Sequence, residues 1–194
     1  MHHMDMGESD DYIYITRVQN GDRDCYAFLV NKYKNMAYTI AFKIMHNTED
    51  AEDAAQEAFI KAYEQLRGFK KESKFSTWLY TIVYRTALYN LRRKAVNNQK
   101  ELNAFQNQTS DTYSTSDTKI EYEDHQQIIK AAINRLPETE SLIITLFYIN
   151  ESSIAEIKQI TGLSEGNIKV KLFRARKKLK KELVVLLGQE ISYG

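Results

Sequence analysis

Apolar positions recur at helical spacing along most of this chain. Leu29, Tyr33, Met36, Ala37, Ile40, Ala41 and Ile44 follow an i, i+4, i+7 rhythm, which predicts a helix with one buried face. Asn47 or Thr48 is placed to cap the next helix, with Glu49 and Asp50 favouring its positive end. Ala51, Ala54, Ala55, Ala58, Phe59, Ala62, Tyr63 and Leu66 keep the 3.6-residue period, and Gly68 is read as the stop. A third long helix is predicted from a Ser76 cap to about Lys94, with Phe75, Leu79, Ile82 and Val83 turned to the core. Residues 1–21 read as a polar segment, with Asp22-Arg23-Asp24 as the first helix start.

Residues 97–119 break the pattern. They are rich in Asn, Gln, Ser, Thr and Asp, and too poor in apolar groups to offset the entropy of ordering, so they read as a flexible linker. Helical spacing resumes near Ile120, with Ile128, Ile129, Ala132, Ile133 and Leu136 predicted inward. Pro137 fits a first helical position, followed by Glu138 and Glu140 and then Leu142, Ile143, Leu146 and Phe147. The predicted fold is all-α: a helical domain over 22–96 and a smaller one over 120–187. Seven glycines and a single proline argue against a turn-rich β fold.

The end of the chain carries the sharpest pattern. Ser153 caps a short helix, Gly162 supplies a left-handed turn, and Ser164 caps a second helix. Ile154, Ile157, Leu163, Ile168 and Leu172 fall where a helix-turn-helix buries its contacts. The first turns of the second helix would expose Glu165, Asn167, Lys169, Val170 and Lys171 to base edges. Arg174, Arg176, Lys177 and Lys178 lie further along and suit phosphates.

Charge sharpens this picture. The net charge is +1, but it is segregated. Residues 49–57 hold five acids and no base; residues 66–100 hold nine bases and one acid; residues 166–182 hold eight bases and one acid. Two basic blocks point to two contacts with a polyanion. The first surrounds the run Phe69 to Trp78, where Lys70, Lys71 and Lys74 alternate with aromatics and with Ser76 and Thr77. Charge beside rings is what an unpaired strand needs, since phosphates follow the cations and bases stack on the rings. Trp78 fits either a stacking surface or the core. In the acidic helix, Asp53, Glu57 and Glu64 share a stripe with Ile60, which fits a protein-binding face or a solvated one.

Other chemistries have little support. One cysteine, Cys25, excludes an internal disulfide or a two-cysteine metal motif, and four scattered histidines offer no metal cluster. No nucleophile or phosphate loop is evident, so neither catalysis nor a metal or cofactor is expected. No apolar run is long enough for a membrane helix and no signal peptide opens the chain, so a cytoplasmic location is expected.

The runs DAEDAAQEAFIKAYEQL and FKKESKFSTWLYTIVYRTALYNLRRK resemble region 2 of the extracytoplasmic-function (ECF) sigma factors of the sigma-70 family. The run LPETESLIITLFYINESSIAEIKQITGLSEGNIKVKLFRARKKLKKEL resembles their region 4. The resemblance implies a promoter-recognition subunit without catalytic activity. Asp53, Gln56, Glu57 and Ile60 would dock on core RNA polymerase, at the clamp helices of the β′ subunit, with further contacts to the β subunit. Lys70, Lys71, Lys74, Ser76, Thr77 and Trp78 would meet the melted minus-ten element, with Arg85, Asn90, Arg92 and Arg93 along the following helix. Ser164, Glu165, Asn167, Lys169, Val170, Lys171, Arg174 and Arg176 would serve the minus-thirty-five element. Promoter DNA and an anti-sigma factor are the other implied partners. The chain departs from the family pattern at Lys158, where a small residue is usual, and at Val170, where a polar one is common. A helix-turn-helix regulator that does not bind core polymerase is the alternative.

Overall fold

The computed structural model describes residues 6–104 and 125–191 of the 194-residue chain. The described residues form eight α-helices and no strand: α1 Met6–Gln19, α2 Tyr26–Met45, α3 Thr48–Gln65, α4 Phe75–Ala104, α5 His125–Asn134, α6 Glu138–Ile144, α7 Ile154–Thr161 and α8 Glu165–Ile191. Short 3-10 turns at Arg23–Cys25 and Leu66–Gly68 and a π turn at Thr145–Ile149 complete the order.

Helices α2, α3 and α4 pack on one another around the small face of α3. Ala51, Ala54, Ala55, Ala58, Phe59 and Ala62 are all buried, and alanines let the neighbouring backbones approach closely. Asn47 caps α3 by accepting from the Asp50 amide at 3.0 Å. Tyr63, expected inward, is at the exposed edge and packs edge-on to Tyr26 at 5.0 Å. Gly68 does not terminate α3 in a left-handed cap; the helix tightens into the 3-10 turn instead. Helix α4 begins at Phe75, one residue ahead of the expected Ser76 cap, and the Trp78 amide bonds to the Lys74 carbonyl. It runs through Ala104, ten residues past Lys94, because no glycine or proline interrupts it. The expected linker over 97–119 therefore opens inside α4, and its remainder lies outside the described residues.

The segment expected to be merely polar is a packed helix. In α1, Ile15 and Val18 are buried, and Asp11 is buried with them. Its carboxylate accepts from Lys32 at 2.7 Å and from the Tyr33 hydroxyl, so a polar position faces inward. Tyr14 stacks on Phe28, centroids 3.8 Å apart.

The C-terminal helices α5 to α8 form a second group. Ile128, Ala132, Ile133 and Leu136 are buried, whereas Ile129, expected inward, is exposed. Helix α6 leans on α8, where Lys178 forms an ion pair with the buried Glu140 at 2.9 Å. Pro137 sits one residue before the first helical position.

The two groups are seated on each other. Leu79 and Val83 of α4 belong to the same apolar cluster as Leu146, Ile157, Ile160, Ile168 and Leu172. Across this seam the Lys43 ammonium donates to Ser141 Oγ at 2.7 Å and Asn134 Oδ1 at 3.2 Å. His46 Nε2 lies 3.0 Å from Glu138 Oε1. Lys74 Nζ and Thr77 Oγ1 each lie 3.5 Å from Glu156 Oε1.

Candidate nucleic-acid and polymerase interfaces

The turn between α7 and α8 is built as its residues dictate. Ser153 accepts from the Glu156 amide at 3.2 Å, and Glu156 Oε2 accepts from the Ser153 amide at 2.7 Å, a complete capping box. Burial pushes the Glu156 carboxyl up, but the amide and hydroxyl of Ser153, with Lys74 added, hold it below the usual carboxylate range. Gly162 takes φ +75, the left-handed conformation that a β-carbon disfavours. The Ser164 hydroxyl accepts from the Asn167 amide at 3.3 Å and so starts α8.

Helix α8 buries Ile168, Leu172 and Ala175 and turns its opposite side outward. Glu165, Asn167, Lys169, Val170, Arg174 and Arg176 are exposed, and Lys171 is half-buried. Three of the expected contact residues hold other roles as well. The Ser164 hydroxyl is engaged in the cap, Glu165 lies 3.5 Å from Lys158, and Arg176 donates to the Tyr148 hydroxyl at 2.7 Å while lying over the Phe147 and Tyr148 rings. One residue that the sequence reading missed joins this face. Phe173 is 68% exposed, one turn on from Val170 at 48%. The i, i+3 spacing from Val170 was the available signal.

Lys74, just ahead of α4, and Trp78, Arg85 and Arg92 on it follow at intervals of 4, 7 and 7 residues and define one stripe. Lys70, Lys71, Lys74, Arg85, Arg92 and Arg93 are exposed, and Ser76 is half-buried. Lys71 has a left-handed backbone, φ +60. Trp78 is half-buried against Phe69 and Phe75, with centroids at 5.0 and 5.6 Å, so it has both a packed side and an accessible one. Phe75 is buried, as expected.

Two expected minus-ten residues are placed otherwise. Thr77 is only 3% exposed, because α7 packs over the start of α4. Asn90 turns away from the stripe toward α3, where its amide donates to Glu57 Oε2 at 2.7 Å. Arg93 also lies on the α3 side, lining a cavity of about 320 Å³ with Asp50, Asp53, Asn90 and Lys94.

On α3, Asp53, Gln56 and Ile60 are exposed, Ile60 at 61%. Glu57, expected beside them in solvent, is half-buried between helices. Lys61 and then Asn90, at 2.8 and 2.7 Å, hold its carboxyl below the usual range. Among the described residues, no cluster of His, Cys, Asp and Glu is arranged to hold a metal ion, and no helix is long and apolar enough to cross a membrane.

Comparison with known proteins addresses the family of the chain. Residues 29–96 match the family described as sigma-70 region 2, and residues 126–179 match sigma-70, region 4. The chain is 33% identical over 177 residues to the ECF RNA polymerase sigma factor SigW of Bacillus subtilis, covering 87% of this chain and 94% of that one. It is 30% identical to the RNA polymerase sigma-H factor of Pseudomonas aeruginosa, covering 94% and 98%. Identity to the ECF RNA polymerase sigma-E factor of Escherichia coli is also 30%, covering 91% and 96%. The fold resembles the sigma factor RpoE of Bartonella quintana, solved with the anti-sigma factor NepR, at a TM-score of 0.60 and 22% identity, covering 82% of this chain and 97% of that one. It also resembles CnrH, solved with the cytosolic domain of CnrY, at a TM-score of 0.58 and 20% identity, covering 89% and 96%. With region 2, region 4 and near full-length relatives in agreement, the chain belongs to the ECF RNA polymerase sigma factors of the sigma-70 family.

Proposed function

We propose that this ECF sigma factor directs core RNA polymerase to promoters through three separate surfaces. The observation that carries the reading is that one chain presents a capped helix-turn-helix, a basic stripe on α4 and a distinct polar-apolar stripe on α3. A regulator that bound DNA alone would not need the third.

The stripe of Asp53, Gln56 and Ile60 docks on the β′ clamp helices. Ile60 supplies the apolar anchor, and the two polar side chains set register around it. Glu57 acts from behind, fixing α3 to α4 through Asn90. The run from Lys70 to Trp78 meets the melted minus-ten strand: Lys70, Lys71 and Lys74 neutralise phosphates, and the accessible side of Trp78 stacks on a base. Arg85 and Arg92 extend this track along α4. At the minus-thirty-five element, Asn167, Lys169, Val170 and Phe173 reach base edges from α8, with Val170 and Phe173 suited to thymine methyl groups. Arg174 and Arg176 anchor to phosphates. The chain supplies recognition and strand separation, while the chemistry of RNA synthesis belongs to the polymerase. An anti-sigma factor is the regulatory partner, covering one or more of these faces.

The test is run-off transcription with core polymerase on a genomic promoter library. Core-dependent transcripts from a defined promoter class are expected. Promoter-sized DNA bound equally with and without core, and no transcripts, would support the simple regulator instead.

A further inference from the structure

The connection from α3 to α4 carries much of the proposed strand-binding chemistry, yet residues 69–73 have no helical ladder of their own. Their carbonyls need partners from elsewhere. Two of the carbonyls at this corner are met by one side chain from the other end of the sequence. Gln19, the last residue of α1, donates from Nε2 to the Leu66 carbonyl at 2.9 Å and to the Phe69 carbonyl at 3.3 Å. The Leu66 carbonyl also accepts from the Phe69 amide at 3.1 Å, so the amide group of Gln19 closes the corner. Phe69 in turn packs on Trp78 and Phe75.

A second tie lies one turn back along α1. Lys71, with its left-handed backbone, donates from Nζ to Thr16 Oγ1 at 2.8 Å and lies over the Tyr12 ring. Helix α1 can hold these ties because it is fixed to α2, through buried Asp11 with Lys32 and Tyr33 and through the Tyr14–Phe28 stack. None of Gln19, Thr16 or α1 lies in the segment that matches region 2, which starts at residue 29.

We propose that Gln19 is a positioning residue for strand capture, pinning the corner at Leu66 and Phe69 so that Lys70, Lys71 and Trp78 are presented in one fixed arrangement. This rests on the minus-ten role read above for residues 70–78. Gln19 touches no DNA itself. Its effect passes through Phe69 to the ring of Trp78, and Thr16 adds a tether at Lys71. Preorganisation of this kind improves affinity by removing the cost of ordering the loop at the moment of binding.

Trp78 is the only tryptophan of the chain, so its emission reports on this corner directly. The experiment compares wild type with Gln19→Met, which keeps the length of the side chain but cannot donate. Three quantities are measured on the full chain: Trp78 emission with acrylamide quenching, core polymerase affinity, and holoenzyme affinity for short single-stranded DNA of randomised sequence. The expected result is a red-shifted, more readily quenched Trp78 and a roughly fivefold loss of single-strand affinity, the size of one net hydrogen bond, with core affinity unchanged. A merely structural Gln19 would lower thermal stability and leave emission and single-strand affinity in the folded protein as they were; that result overturns the proposal. Thr16→Val, at an exposed position, removes the second tie with little risk to folding and should loosen Lys71 in the same direction. Replacing Lys70, Lys71 and Lys74 together with Ala separates the two levels of the argument. If that variant loses single-strand affinity and Gln19→Met does not, the positioning role alone falls. If neither loses it, the minus-ten reading of the loop falls and takes the positioning role with it.

Discussion

Lys43 gives the seam between the N- and C-terminal helices a measurable pH signature. The residue is 8% exposed, and both its acceptors, Ser141 Oγ and Asn134 Oδ1, are neutral. Burial therefore disfavours the ammonium form, and its pKa is lowered from 10.5 to about 8. Below that value the lysine is charged whether folded or unfolded, and the cost of desolvating it is fully present. Between the two values the unfolded chain binds more protons than the folded one, so stability rises with pH. With pKa values of about 8 folded and 10.5 unfolded, linkage gives a gain of about 2 kcal/mol from pH 7.5 to pH 9.5. The rise should stop near pH 10, where unfolded tyrosines ionise while the buried hydroxyls of Tyr26 and Tyr80, held above their usual range by burial, keep their protons. Urea unfolding at a series of pH values checks the slope. Lys43→Met fills the same space without a charge and should flatten the profile, while Ser141 keeps its own bond to the Ile133 carbonyl at 2.8 Å. A difference between the wild-type and Lys43→Met profiles that does not grow over this window would refute the reasoning.

Replacing Asp53 with Lys and Ile60 with Asp should cut core polymerase affinity at least tenfold at unchanged melting temperature, whereas Glu57→Gln should cost at most about 0.5 kcal/mol of stability, because its pair with Lys61 is screened by solvent and Gln can still accept from Asn90; a pull-down and a thermal melt distinguish the two. Phe173→Ala and Val170→Ala should change base preference at one or two minus-thirty-five positions, while Arg174→Ala should weaken all sequences alike and reduce the salt slope by about one; binding to variant duplexes at several salt concentrations checks both. Fluorescent labels on α3 and α8 should report a short separation in the free chain and a much longer one in holoenzyme on promoter DNA. An unchanged separation would mean that the seam stays closed during promoter binding.

Where a local rule decided the outcome, the sequence was readable. The alanine face of α3, the Ser153–Glu156 box and the left-handed Gly162 each depend on residues within a few positions of one another. Helix α1 was not readable from periodicity, because one of its inward positions is Asp11, a carboxylate whose partners Lys32 and Tyr33 come from another helix. The same is true of the site. The exposed stripe on α3 and the outer face of α8 follow from helical spacing. The inward turn of Glu57 toward Asn90, and the burial of Thr77 beneath α7, depend on contacts across 33 and 79 positions of chain. Composition marks Lys43 as a surface residue, and only the seating of α5 and α6 on α2 makes it a buried one.

That seam also bears on how the proposed surfaces can work together. Promoter elements centred near minus ten and minus thirty-five lie about 25 base pairs apart, about 85 Å along B-form DNA. A compact chain of this length has a radius of gyration of only about 16 Å. With α4 and α8 contributing to one apolar cluster, the closed arrangement cannot lay both on DNA at that spacing. Moreover, Glu156 lies beside Lys74 and Thr77, where phosphates of the melted strand would have to come. Promoter binding on this reading requires α7 to leave α4, and the polar part of the seam offers little resistance. Lys74 is half-exposed and lies 3.5 Å from the partly buried Glu156, and His46 and Glu138 meet in solvent, so these contacts resemble surface pairs, which contribute at most about 1 kcal/mol. Lys43 is a buried charge with neutral partners, which weakens the closed state at neutral pH. What holds the halves together is the shared apolar cluster, so opening exposes Leu146 and Ile157 on one side and Leu79 and Val83 on the other. The proposed docking of α3 on core polymerase would leave that cost in place. The DNA contacts proposed for the uncovered start of α4 and for the free helix-turn-helix would offset it, which would couple separation of the two halves to the binding of promoter DNA.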